Sequence, residues 1–271
     1  LGIKSLMDGR VASFFGDELV VGAFYHGFAL FFLSYLILIK PKNYILVISI
    51  TLVILVGFLI GERSNFIKLL ASVAIFSSLT IKVGYKKKLF TIFLVIITLT
   101  LSLNFSKERY KNRYFDQIKT VITIKGYSEF MKNSHYGAHR DTAIKILREN
   151  LFFGVGVKNF RLESRKKKYE NKDFLKTKIR QSTHPHQVHH EMLSETGLFG
   201  YLAFIIFLSI SLYLALKSYQ KNKNIYQLSS IIFIITSLLP LLPSGSFLST
   251  FTSGIFWLNF AIMNGYIKSK S

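Results

Sequence analysis

Seven apolar stretches, residues 19–39, 44–61, 65–81, 89–105, 197–216, 226–243 and 247–267, punctuate the chain, and none holds an internal acidic residue. Each approaches the roughly 20 residues that carry a helix across a bilayer. Lipid offers backbone N–H and C=O groups no partner, so such stretches must satisfy their own hydrogen bonds as helices. The expected fold class is therefore all-α, a polytopic membrane helical bundle of about seven transmembrane helices with one large external loop. Composition agrees: half the residues are hydrophobic and the mean hydropathy is +0.36, more apolar surface than a soluble core of 271 residues buries.

Charge sets the orientation. The chain carries 35 Lys+Arg against 14 Asp+Glu, a net +21, clustered between the apolar runs. That pattern excludes a simple soluble nucleic-acid binder, and no nucleic-acid partner is expected. Lys40 and Lys42, then Lys82 with Lys86, Lys87 and Lys88, then Lys217, Lys221 and Lys223, then Lys268 and Lys270 form four basic segments without an acidic residue. They fall at alternate ends of the spans. The positive-inside rule makes these segments and the C-terminus cytoplasmic, and puts residues 1–18, the Gly61–Asn65 turn, residues 244–246 and the long 106–196 segment on the opposite face. The chain has no Cys, which excludes disulfides, thiolate metal sites and cysteine nucleophiles. It opens at Leu1 without a Met or the apolar core of a signal peptide, so an N-terminally truncated fragment is expected. The division this suggests is residues 1–105 as four membrane helices, 106–196 as an external catalytic loop and 197–271 as three further membrane helices.

Chemistry concentrates in the long segment, which holds 20 Lys+Arg, 10 Asp+Glu and six of the seven His. A connection of this length is too long to be passive. Asp141–Asn150 has the pattern of a short amphipathic helix, Phe152–Phe160 of a Gly-punctuated turn, and Arg161–Arg180 of a basic stretch. From Gln187 a helical pattern runs through Gly197 and Gly200 into the next span. The densest titratable cluster is His184-Pro185-His186-Gln187-Val188-His189-His190-Glu191. Helical i,i+4 spacing of His186 and His190 suits metal ligation, but Ser194 stands where a zincin pattern requires its second His, and no metal is expected. His184, His189 and His190 also suit capping a helix at lipid phosphates. A third reading makes an imidazole the general base, since its ordinary pKa of about 6.5 suits proton transfer near neutrality.

Arg63 stands in a very short external turn, Gly61-Glu62-Arg63-Ser64-Asn65, where an ionisable residue is either functional or snorkels beside Glu62. Lys68, further into the same span, reads as a snorkelling side chain. Arg140, in His139-Arg140-Asp141, reads as either a surface charge or a site residue. Guanidinium groups at an outer membrane surface suit a lipid diphosphate, because they are permanently charged bidentate donors. With a sugar on that diphosphate, a His-activated acceptor hydroxyl can attack the anomeric carbon while Arg stabilises the departing charge. This chemistry calls for no cofactor.

At His186-Gln187, followed by nine residues and then Gly197-Leu198-Phe199-Gly200, the chain resembles the His-[Asn/Ser/Gln]-x9-Gly-x-x-Gly signature of the O-antigen ligase/polymerase superfamily. Upstream, Arg140-Asp141-Thr142 leading to Leu151-Phe152-Phe153-Gly154-Val155-Gly156 and on to Phe160 resembles that family's Arg, amphipathic helix and P-x-x-G-x-G-x-x-x-F passage, with Leu151 in place of Pro. The Glu62-Arg63-Ser64 turn and the Gly9-Arg10 to Glu18 segment resemble its membrane-edge elements. The resemblance implies an all-helical membrane glycosyltransferase in the bacterial inner (plasma) membrane, with the 106–196 loop periplasmic. It implies metal-independent transfer of a glycan from undecaprenyl diphosphate to an acceptor, either the lipid A core or a growing glycan, among membrane lipids. Carried over by position, His186 is the base; Arg63 and Arg140 take catalytic and diphosphate-binding roles; Arg10 and Gln187 contact substrate. Gly197 and Gly200 allow close helix packing. Ligase, O-antigen or exopolysaccharide polymerase and protein O-oligosaccharyltransferase share the signature. A transporter of polyprenyl-linked glycans would use the same Arg residues without bond making, but no inverted repeat relates 19–105 to 197–267.

Overall fold

The computed structural model describes residues 20–81, 84–104, 124–173 and 180–267. Arg10, expected to contact substrate, lies outside the described residues. The chain is all-α: α1 (Val21–Leu38), α2 (Asn43–Leu59), α3 (Arg63–Thr80), α4 (Tyr85–Asn104), α5 (Ile124–Asn133), α6 (His135–Glu149), the single turn α7 (Phe160–Glu163), α8 (Val188–Asn222), α9 (Ile225–Ser237) and α10 (Thr250–Gly265), with no strand among the described residues. Local signals explain the ends. Lys40 (φ 49°) and Gly61 (φ 79°) turn left-handed just after α1 and α2. Asn224 accepts from the N–H groups of Tyr226 and Gln227 and so caps α9.

Of these helices, α1 and α8 are long and apolar enough to cross a membrane; α2, α9 and Leu89–Asn104 are apolar but shorter. Two compact units result, one of Leu1–Tyr114, Leu212–Leu239 and Gly254–Ser271, the other of Phe115–Ser211 and Pro240–Ser253.

In the first unit, Leu30 and Leu33 of α1, Val53 and Phe58 of α2, Leu69 and Phe76 of α3 and Ile232 of α9 share one core. Side-chain hydrogen bonds add directional ties to this apolar packing. The His26 Nε2 and Ser72 Oγ atoms lie 2.8 Å apart, and Thr236 Oγ1 stands 2.8 Å from Ser72 and 3.2 Å from His26. These three bonds tie α1, α3 and α9 together. Lys68 does not snorkel: it is 3% exposed and its Nζ donates to Ser237 O at 3.4 Å. Ser237 is the last residue of α9, where helix carbonyls run out of helical donors, which makes its carbonyl a natural place for an ammonium.

The expected spans 226–243 and 247–267 are shorter than the apolar runs suggest. The helix α9 stops at Ser237 and α10 begins at Thr250, which makes the connection far longer than residues 244–246. Pro240 and Pro243 are the reason, since each removes a helical N–H and clashes with the preceding turn.

In the second unit, α6 is longer than the expected 141–150 helix. Ser134 caps it by accepting from Gly137 N at 3.2 Å. Its Ala143 and Ile146 bury Phe160 and Tyr169, which docks the start of the basic stretch on α6. The Glu149 carboxylate accepts from Lys168 Nζ and, at 2.8 Å, from Tyr169 Oη. These bonds hold the Glu149 carboxyl below the usual carboxylate range, and burial pushes the Tyr169 phenol up to about 12.

Candidate functional site

The helix α8 is not continuous, contrary to the expected run through Gly197. That residue sits at φ 67°, ψ −169°, a region essentially reserved for glycine, and breaks the helix there. The Gly-punctuated turn fills the break. Before it, Val155 N and Gly156 N donate to Ser194 O and Glu195 O at 3.1 and 2.8 Å; after it, Leu198 N and Phe199 N donate to Leu151 O and Phe152 O at 2.8 and 3.2 Å. Backbone groups freed on both sides of the break are thus re-paired. A Cβ on Gly197 would strike the Phe152 carbonyl and Gly154 N, and one on Gly154 would strike Glu195 and Gly197 N. What Gly197 permits is therefore contact with this turn, while the space a Cβ on Gly200 would need is taken by Thr196.

Glu195 locks the assembly. Its carboxylate is 1% exposed and accepts from Lys158 N at 2.5 Å and Phe160 N at 3.1 Å, at the entrance to α7. Glu195→Gln places an NH₂ against one of those donors, which is expected to cost about 1–3 kcal/mol. A lower thermal unfolding midpoint and faster tryptic cleavage at Lys158 and Arg161 would register it; unchanged cleavage would remove this role from Glu195. Further along, Ser164 Oγ donates to Ser182 O at 3.4 Å, so the basic stretch leaves and returns at one place.

His186 stands just before α8 at φ 55°. It is therefore not on a helix face with His190. Its ring stacks on His139 of α6 (centroids 4.9 Å, 22°), lies 4.1 Å from the His184 ring and meets His135 and Tyr136 edge-on at 6.2 and 6.1 Å. Ser182 Oγ is 3.4 Å from His186 Nε2. Burial holds His184 down at about 4, with the neighbouring His139 adding to the effect, so it is neutral at pH 7. Among the described residues, no three His, Asp or Glu side chains converge as metal ligands would.

Sequence reasoning missed what holds His186 in place, namely the loop between α9 and α10. Ser244 N donates to His186 O at 2.9 Å, and Gln187 Nε2 donates to Pro240 O at 2.9 Å while its Oε1 accepts from His190 N at 2.9 Å. Gln187 is thus the cap of α8, with both ends of its amide engaged by protein. The Glu191 carboxylate, 1% exposed, accepts from Ser246 Oγ and from Phe247 N at 2.7 Å. The cluster of prolines and serines over 240–246 was the available signal for a structured loop.

Arg140 follows His139 on α6, exposed, and its charge is felt at His190. The structure thus brings His186, His139 and His184 together, with Arg140 on the same helix as His139. Arg63 belongs to the first unit, as the first residue of α3. Beside it, the Glu62 carboxylate accepts from Gly22 N at 3.0 Å and Asn65 Nδ2 at 2.6 Å. That carboxylate satisfies an N–H in the first turn of α1 and holds the Asn65 side chain in the first turn of α3, which ties the two helix starts together.

An all-helical fold among the described residues, two helices long and apolar enough to cross a membrane, and a histidine cluster held by the α9–α10 loop are the features of a helical membrane-protein class. Residues 48–205, more than half of the chain, match the O-antigen ligase family, and the chain belongs to that family. A comparison with curated proteins finds no match.

Proposed function

We propose that this protein is a metal-independent glycosyltransferase that moves a polysaccharide from undecaprenyl diphosphate to the lipid A core at the periplasmic face of the inner membrane. In this reading the seven apolar stretches span the membrane, residues 106–196 form the periplasmic catalytic loop between four membrane helices in 1–105 and three in 197–271, and the C-terminus is cytoplasmic. The imidazole of His186 takes the acceptor hydroxyl proton. The freed oxygen forms a bond to the anomeric carbon, with inversion, as the bond from that carbon to the diphosphate breaks. The electron pair leaves with undecaprenyl diphosphate, whose charge Arg140 and Arg63 stabilise. Their two permanent charges take the part a divalent cation plays at many diphosphate sites.

The observation that carries the reading is the His186 ring, stacked on His139 with the Ser182 hydroxyl at its Nε2, while the next residue along α6 is the exposed Arg140. A buried scaffold holding an exposed cation and an imidazole suits proton transfer beside an anion.

The test is the surface glycan of a deletion strain complemented with the gene, either native or carrying Arg140→Ala or Arg140→Lys. For a ligase, the native gene restores long glycans on the lipid A core, Arg140→Ala lowers them at least about tenfold, and Arg140→Lys recovers only part because a point charge cannot bind bidentately. A single repeat unit remaining on the core in the deletion strain would make the protein a polymerase. Undiminished transfer in the Arg140→Ala strain would sink the Arg140 assignment.

A further inference from the structure

The turn that fills the break in α8 has an outer face that the site does not use. Phe153 is 77% exposed, and Leu151, Phe152, Val157 and Leu162 are exposed beside it. Five large apolar side chains in twelve residues form an unusual surface for a turn, and a contiguous exposed apolar patch marks a binding surface. They are presented rigidly, because the backbone bonds to α8 and the Glu195 carboxylate hold the turn.

Two observations name the partner. The first is continuity with a membrane helix. Phe152 stacks on Phe199 (centroids 5.4 Å, 28°), and Phe153 meets the same ring edge-on at 5.5 Å. Phe199 begins an exposed apolar stripe that runs on through Leu202, Ile206 and Ile210 along a helix apolar and long enough to cross a membrane. The turn prolongs that stripe beyond the start of the helix. The second is charge: Lys158, Arg161 and Arg165 are exposed and interleave with Val157 and Leu162. Apolar side chains flanked by cations are the composition of an interfacial anchor on anionic lipid.

We propose that Leu151–Leu162 is a membrane-interface anchor whose apolar side chains enter the headgroup and acyl boundary while Lys158, Arg161 and Arg165 rest on anionic phospholipid phosphates. The anchor fixes the height at which the loop rides on the bilayer, and it does not depend on the transferase chemistry.

The chain has one Trp and no Cys, which makes site-specific probes simple. The protein carrying Trp257→Phe and Phe153→Trp is reconstituted in vesicles of phosphatidylcholine with about one part in four phosphatidylglycerol. The indole is expected to emit blue-shifted light and to be quenched about twofold or more by lipid brominated near the headgroup end of its chains. A probe at Glu170→Trp, on the polar stretch, is expected to respond to aqueous acrylamide and not to brominated lipid. Charge reversal at Lys158, Arg161 and Arg165 is expected to abolish the extra quenching that phosphatidylglycerol produces.

Should Phe153→Trp disturb folding, judged by circular dichroism against the Trp257→Phe parent, a spin label at Val157→Cys reads the same depth through its accessibility to oxygen over a polar nickel reagent. The proposal is overturned by a probe at 153 or 157 as water-accessible as the one at 170. It is equally overturned by quenching indifferent to phosphatidylglycerol, or by quenching seen only when polyprenyl diphosphate is added, which would assign the face to that lipid.

Discussion

Replacing His186 by alanine is expected to lower glycan transfer by about 10²- to 10⁴-fold, the range by which a positioned base accelerates such a step. The loss should fall on transfer and not on folding, because what positions this residue is largely backbone. Ser244 N bonds its carbonyl, and Gln187 next to it caps α8 independently of the imidazole. The left-handed φ of 55° is the one feature alanine tolerates poorly. His186→Asn therefore accompanies it, since Asn accepts that conformation but is no base. Surface glycan from the complemented strain and the thermal unfolding of each purified variant are the two readouts. Loss of glycan from both variants with unfolding near that of the native protein fits a base. Transfer retained within a few-fold in either variant would sink that role.

The second large effect is expected at Gly197. Alanine there meets a double penalty: its backbone region is closed to residues with a Cβ, and that Cβ would strike the Phe152 carbonyl and Gly154 N. A loss above about 3 kcal/mol is expected, enough to lower both the unfolding midpoint and the amount of protein in the membrane. Gly254 provides the contrast. It lies within α10, a Cβ on it would meet nothing within 4 Å, and Gly254→Ala is expected to change stability by less than about 1 kcal/mol. Equal unfolding midpoints for the two variants would mean that the break in α8 is not needed.

That the apolar runs form helices was legible, because a long apolar stretch kept from water must pair its own backbone groups. The α9–α10 loop was hidden by that apolarity. Leu238, Leu239, Leu241 and Leu242 are as apolar as a span, and only Pro240 and Pro243 betray the interruption. Residue pattern marked Gly154 and Gly197 but not their relation, which is a contact between segments some forty positions apart. Glu191 was unreadable for the same reason: its partners Ser246 and Phe247 lie beyond an entire helical hairpin, and no local periodicity records them. Lys68 was misjudged because a buried ammonium needs an acceptor, and the carbonyl of Ser237 is supplied by a helix remote in sequence.

The bond from Ser164 Oγ to Ser182 O holds the two ends of the intervening segment together and so closes a loop. In such a loop, doubling the number of residues costs only about 0.6 kcal/mol in closure entropy. Changes of length are accordingly cheap only away from the docked residues of that segment, since Tyr169 is buried against α6 and Lys168 bonds Glu149. His186 is held through Ser244 N and sits beside the Gln187 cap of α8, bonds that lie outside the basic stretch, so its place does not depend on the length of that stretch.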